Sequence, residues 1–119
     1  MNTPESTVTI YHNPRCSKSR ATLALLEENG ITPQVIEYLK TPPTKVELAV
    51  VLKKLGMAAK DLVRTGEDVF KDKFRGKTLD EAGWLSALAE NPVLIERPIV
   101  IRGRHAVIGR PPEKVLELI

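Results

Sequence analysis

The chain holds one cysteine, Cys16, and two histidines among its 119 residues. A single thiol excludes an internal disulfide framework. With two histidines beside it, a zinc site built on several cysteines is excluded as well. A lone free thiol fits a reducing compartment, so a cytoplasmic protein with no bound metal is expected. Aromatic residues make up 4% and do not interleave with Lys or Arg, so no nucleic-acid partner is expected. No apolar run comes near the about twenty residues of a membrane span, and no membrane partner is expected. The opening "MNTPESTVTI" lacks a basic region followed by an apolar stretch, which predicts no signal peptide. What is there is ordinary: 42% hydrophobic and 28% charged residues, a balance that excludes a fibrous or disordered chain. The length fits one domain, 1–119, able to bury about two-thirds of its unfolded surface. Net charge is +3, spread as Lys and Arg alternating with Glu and Asp. That describes a solvated mixed surface, with an excess that also suits a small anionic substrate. No apolar stripe is left over, so a monomer is expected.

Val8 to Tyr11 is a short β-branched and aromatic run ended by Asn13-Pro14, which reads as a buried strand meeting a turn. From Ser17 to Glu28, Ala21, Leu23, Ala24 and Leu26 recur at helical spacing, and Asn29-Gly30 stops the helix. Gln34 to Leu39 reads as a second strand, completing a βαβ unit with parallel strands. The pattern then turns helical. Thr44 and Glu47 predict a capping box for a helix to about Lys54, ended by Gly56. A short helical "AAKDLVR" follows, then a charged stretch from Thr65 to Lys77 that reads as loop with one helical turn. Thr78 and Glu81 predict a second capping box, for a helix to Glu90. "RPIVIRGRHAVIGRPP" reads as a hairpin, Ile99 to Arg102 and His105 to Ile108 around Gly103. Pro111-Pro112 introduce a last helix, Glu113 to Leu118. The order β-α-β, helices, β-β-α predicts an α/β fold of thioredoxin-like type. Its sheet has four strands and is mixed, with a helical insertion at about 42–95 between the second and third strands.

Cys16 falls where the first strand ends and the first helix begins. Backbone N–H groups at a helix N-terminus carry partial positive charge and stabilise an anion. Arg15, Lys18, Arg20 and His12 stand nearby in sequence as further sources of positive charge. The bland alternative is a buried inert thiol, but Arg15, Ser17 and Lys18 leave no apolar pattern through position 16. Ser19 occupies the place of the second cysteine in a Cys-x-x-Cys motif. An oxidised Cys16 must therefore pass to a thiol from elsewhere. Arg97 and Arg110 each stand directly before a proline, and Arg64 closes "DLVR". In thioredoxin-like folds the segment before the third strand lies beside the reactive thiol, which makes Pro98 a candidate cis-proline. Guanidinium groups there suit a tetrahedral oxyanion.

"YHNPRCSKSR", "ERPIV" and "IGRPPE", in that order, resemble the glutaredoxin-coupled arsenate reductases over almost the whole chain, from about Val8 to Ile119. The resemblance implies that Cys16 attacks arsenate, that glutathione resolves the adduct as co-substrate, that glutaredoxin reduces the resulting mixed disulfide, and that arsenite leaves. It implies Arg64, Arg97 and Arg110 as oxyanion-binding residues and His12 as thiol-activating. Ser19 is implied as a hydrogen-bond partner of the thiolate, with Asn13 in the supporting turn and Pro98 beside it. No bound cofactor is implied. Ser17, Lys18 and Arg15 are bulkier than the residues around the cysteine in some members. Two other readings stay open: a glutathione-dependent thiol reductase acting on another substrate, and a non-enzymatic redox regulator that binds RNA polymerase.

Overall fold

The computed structural model describes residues 7–119; most of the stretch read for a signal peptide, residues 1–6, lies outside them. The chain forms two compact units. One comprises residues 7–41 with Arg97–Ile119, and the other is Pro42–Glu96. Among the described residues no helix is long and apolar enough to cross a membrane.

The first unit is built on a mixed four-stranded sheet of order β2-β1-β3-β4, with β1 Val8–His12, β2 Gln34–Glu37, β3 Ile99–Arg102 and β4 His105–Ile108. β1 runs parallel to β2 and antiparallel to β3, and β3 and β4 form the hairpin, with Gly103 in its turn. This is the expected thioredoxin-like arrangement. The register sets Ile10 opposite Val100 and Val100 opposite Val107. Helix α1, Ser17–Glu28, supplies Leu26 to the same cluster, and the C-terminal segment supplies Val115. Val8, Ile10, Leu26, Val100 and Val115 form this core, each buried side chain contributing about 1.5–3 kcal/mol.

Three expectations in this unit are corrected. The second strand ends at Glu37, because Lys40 and Thr41 N–H groups both turn back to the Glu37 carbonyl. The buried face of α1 is Ser19, Thr22 and Leu26, while Ala21 and Ala24 are exposed. The polar residues win that face because their hydroxyls find hydrogen-bond partners there, as described below. The C-terminal helix is a 3₁₀ turn, Pro112–Glu117, rather than an α-helix.

The second unit is helical: α2 Lys45–Leu55, a 3₁₀ turn Ala59–Leu62, α3 Asp68–Lys73, α4 Glu81–Glu90 and a 3₁₀ turn Pro92–Leu94. Both hydrogen bonds of the Thr44–Glu47 capping box form, and Gly56 ends α2 in the left-handed region. The second predicted box does not form. Asp80 caps α4 instead, accepting from Gly83 N–H at 2.8 Å, and Glu81 accepts from Ala59 N–H. The carboxylate next to the helix start thus displaces Thr78, which stands two residues too early. Leu48, Leu52, Leu62 and Leu88 are fully or almost fully buried, and Trp84 stacks with Phe70 at 6.3 Å between ring centroids.

Candidate active site

β1 delivers the chain to Asn13, whose side chain accepts from Arg15 N–H at 3.0 Å and whose carbonyl accepts from Cys16 N–H at 3.0 Å. These bonds close the turn and set Cys16 as the N-cap of α1 (φ −93°, ψ 122°). The first helical hydrogen bond, Arg20 N–H to the Cys16 carbonyl, is 3.0 Å long. No acidic residue stands in the first turn of α1, so no carboxylate there competes with the sulfur for the helix N-terminus.

Burial is the strongest influence on the thiol and raises its pKa. It is outweighed by the Ser19 N–H, a hydrogen bond from the Arg97 guanidinium, the Lys18 N–H and the Arg97 charge, so the pKa falls below its ordinary value of 9.0. The two amides face the sulfur without closing a regular cap hydrogen bond. Arg110 Nη2 donates to Cys16 Sγ at 3.5 Å, and Arg110 Nε donates to the Arg97 carbonyl at 2.8 Å. The peptide bonds Arg97–Pro98 and Arg110–Pro111 are both cis. The sequence points to the first and gives no sign of the second.

His12 and Ser19 are buried together, with Nδ1 and Oγ 2.6 Å apart, and Ser19 Oγ also accepts from Asn13 N–H at 3.0 Å. The Ser19 hydroxyl therefore braces the turn, and it is the Ser19 backbone that faces the sulfur. Burial lowers the His12 pKa; the charge of Glu37 works against this and that of Arg20 adds to it. Burial thus favours the neutral imidazole. Arg15, Lys18 and Arg20 are exposed, and Arg20 donates to the Pro14 carbonyl. Among the side chains it is Arg97, and not these charges nearby in sequence, that lowers the thiol, alongside the Ser19 and Lys18 N–H groups.

The first unit thus gathers Cys16, Arg97, Arg110, His12, Asn13, Ser19 and Pro98. Arg64 belongs to the second unit. There its backbone N–H donates to Leu94 beside the Val63–Ile95 bridge, and its guanidinium pairs with Glu67 at 3.2 Å and with Glu96. Thr22 and Gly109 went unnoticed in the sequence. The only signal for them was their place inside "SKSRAT" and "IGRPPE". Among the described residues no group of three or more His, Cys, Asp or Glu is placed to hold a metal.

The arrangement can do one kind of chemistry well: hold a thiolate beside two cations that would also receive an anionic partner. A family model described as the ArsC family matches residues 11–118. The chain belongs to the ArsC family. A relative from Escherichia coli K12, named "Uncharacterized protein YfgD", is 51% identical over 114 residues, covering 94% of this chain and 96% of its own. A relative from Haemophilus influenzae, named "Arsenate reductase", is 47% identical over 114 residues, covering 94% of this chain and 98% of its own. The solved "Arsenate reductase from Vibrio cholerae" superposes with a TM-score of 0.92 at 49% identity, covering 95% of this chain and 98% of that one.

Proposed function

We propose that this ArsC-family protein is an arsenate reductase that draws its electrons from external thiols. The observation that carries the reading is the convergence of Arg97 and Arg110 on Cys16 Sγ at the start of α1. The names of the relatives supply the oxyanion. Two guanidinium groups neutralise and orient arsenate, without which a thiolate is repelled by it. The Cys16 thiolate attacks arsenic(V), and one arsenate oxygen leaves as water after protonation. Glutathione is the second thiol. Two thiols lose two electrons and become a Cys16–glutathione disulfide, while arsenic(V) gains two and leaves as arsenite. Glutaredoxin then takes the glutathionyl group and returns Cys16 to the thiol.

Ser19 is not a cysteine, so no local disulfide forms and the external pair is needed. His12, Asn13, Ser19 and Pro98 hold the turn that presents the sulfur. The resemblance implies Arg64 as a third arginine. In its own unit that guanidinium is engaged by Glu67 and Glu96, and the present reading rests on Arg97 and Arg110. The same reading makes the chain a cytoplasmic, monomeric single domain with its helical insertion at about 42–95. It carries no bound cofactor and has no nucleic-acid or membrane partner.

The test is arsenite formation from arsenate in the presence of glutathione, glutaredoxin and its reducing system. Cys16→Ser should abolish turnover, and Arg97→Ala and Arg110→Ala should each raise the arsenate KM about tenfold or more, the loss expected when a charged hydrogen bond is removed. No arsenite at saturating arsenate, with Cys16 shown to be reduced, overturns the reading.

A further inference from the structure

Gly109 connects β4 to Arg110 and is buried. A Cβ built there would lie 2.5 Å from Thr22 Oγ1, 2.9 Å from Pro98 Cγ and 3.1 Å from Thr22 Cγ2. The first two distances are closer than packed atoms approach. Its φ lies outside the left-handed region, so glycine is needed here for space and not for backbone conformation. Thr22 cannot retreat. It is fully buried in α1, and its hydroxyl donates to the Lys18 carbonyl at 2.8 Å and lies 3.5 Å from the Gly109 carbonyl oxygen. On the other side, Gly109 N–H donates to the Pro98 carbonyl at 2.9 Å. One contact therefore joins the first turns of the helix that begins at Cys16, the proline that follows Arg97 and the backbone that precedes Arg110.

We propose that Thr22 and Gly109 are positioning residues, a spacer that fixes how closely Arg97 and Arg110 approach Cys16 Sγ. Close packing makes such a spacer stiff, because a displaced backbone has no void to enter. Adding one methyl group at position 109 pushes the Pro98 and Arg110 segments away from α1. Arg110 Nη2 then leaves its 3.5 Å contact with the sulfur, and Arg97 loosens with Pro98. Arg97 and Arg110 move together because Gly109 N–H and Arg110 Nε both donate to the same segment, Arg97–Pro98.

The inference rests on reading Cys16 as an ionised, reactive thiol, but its test uses no arsenate. Thiolate absorbance and the rate of alkylation by iodoacetamide are followed against pH in the full chain. In Gly109→Ala the titration midpoint of Cys16 should rise by about half a pH unit or more, which makes alkylation below the midpoint about threefold slower. In an Arg97→Gln/Arg110→Gln background, the same glycine substitution should move the midpoint no further, since the groups it acts through are gone. Thr22→Ala should also raise the midpoint, and Thr22→Ser, which keeps the hydroxyl on the Lys18 carbonyl, should restore it. A folded Gly109→Ala protein with the wild-type midpoint overturns the proposal. So does an equal shift in the arginine-less background. Should Gly109→Ala fail to fold, the threonine pair decides: Thr22→Ala titrating like wild type overturns it. A protein that shows these shifts yet forms no arsenite would sink the proposed activity and leave the spacer standing.

Discussion

A thiol at a helix N-terminus feels two opposed effects, desolvation against charge and hydrogen bonding, and at Cys16 the second set wins. The folded protein holds the thiol below its ordinary value of 9.0, so folding favours the anion. That preference stabilises the native state fully above the unfolded thiol's pKa and is lost as pH falls through the lower folded value. Relative to Cys16→Ala, the wild-type chain should therefore gain stability as pH rises from the lowered folded pKa towards the ordinary value of 9.0. Urea denaturation of both proteins across that range checks it, and a difference that stays flat contradicts a depressed thiol. The effect is modest, since Cys16 is only partly buried and solvent screens it. His12 is the contrasting residue. It is buried, its neutral form is favoured by burial, and it is joined to Ser19, so it acts on the geometry of the turn rather than as a nearby positive charge.

Helix ends in this chain are decided by competition among neighbouring polar side chains. At α2 the sequence offers one good N-cap, Thr44, and the box with Glu47 forms. At α4 it offers Thr78 and Asp80, and Asp80 stands directly before the first helical residue. A carboxylate there also favours the positive end of the helix. Asp80→Ala should therefore lower stability by about 1 kcal/mol, whereas Thr78→Ala should stay within about 0.5 kcal/mol of wild type. Urea midpoints at constant m-value separate the two; equal losses would return the cap to Thr78. At α1 the N-cap is the thiol itself, with no side-chain cap hydrogen bond, so that helix start leaves its N–H groups facing the sulfur.

At the scale of the whole molecule, each of the two compact units carries its own apolar cluster. In the first, Leu26 ties α1 to the sheet through Val8, Ile10 and Val100 and to the C-terminal turn through Val115. It is fully buried, so Leu26→Ala should cost about 2–5 kcal/mol of unfolding free energy, the transfer of the side chain plus the cavity it leaves. Chemical denaturation measures this, and a loss under about 1 kcal/mol would mean that α1 is not anchored through Leu26. The second unit has a different character. Its three aromatic residues come together, with Phe70 and Phe74 each packing on Trp84, and Arg64 is held by two carboxylates.

Features written in adjacent residues were legible from the sequence alone: the strand, turn and helix around Cys16, the hairpin around Gly103, the Thr44–Glu47 box and the absence of a second cysteine. Each depends on contacts within a few positions, where residue type and spacing suffice. The order of elements added the mixed four-stranded sheet. The tertiary structure alone decided which charges reach the sulfur. Arg15, Lys18 and Arg20 are close in sequence yet exposed, while Arg110 lies 94 residues away and donates to Sγ. It also decided the buried face of α1, where Ser19 and Thr22 displaced the expected alanines, and the need for glycine at 109, whose ordinary φ leaves no local trace. Those outcomes depend on distances between segments remote in the chain, and such distances exist only once the sheet has brought the segments together.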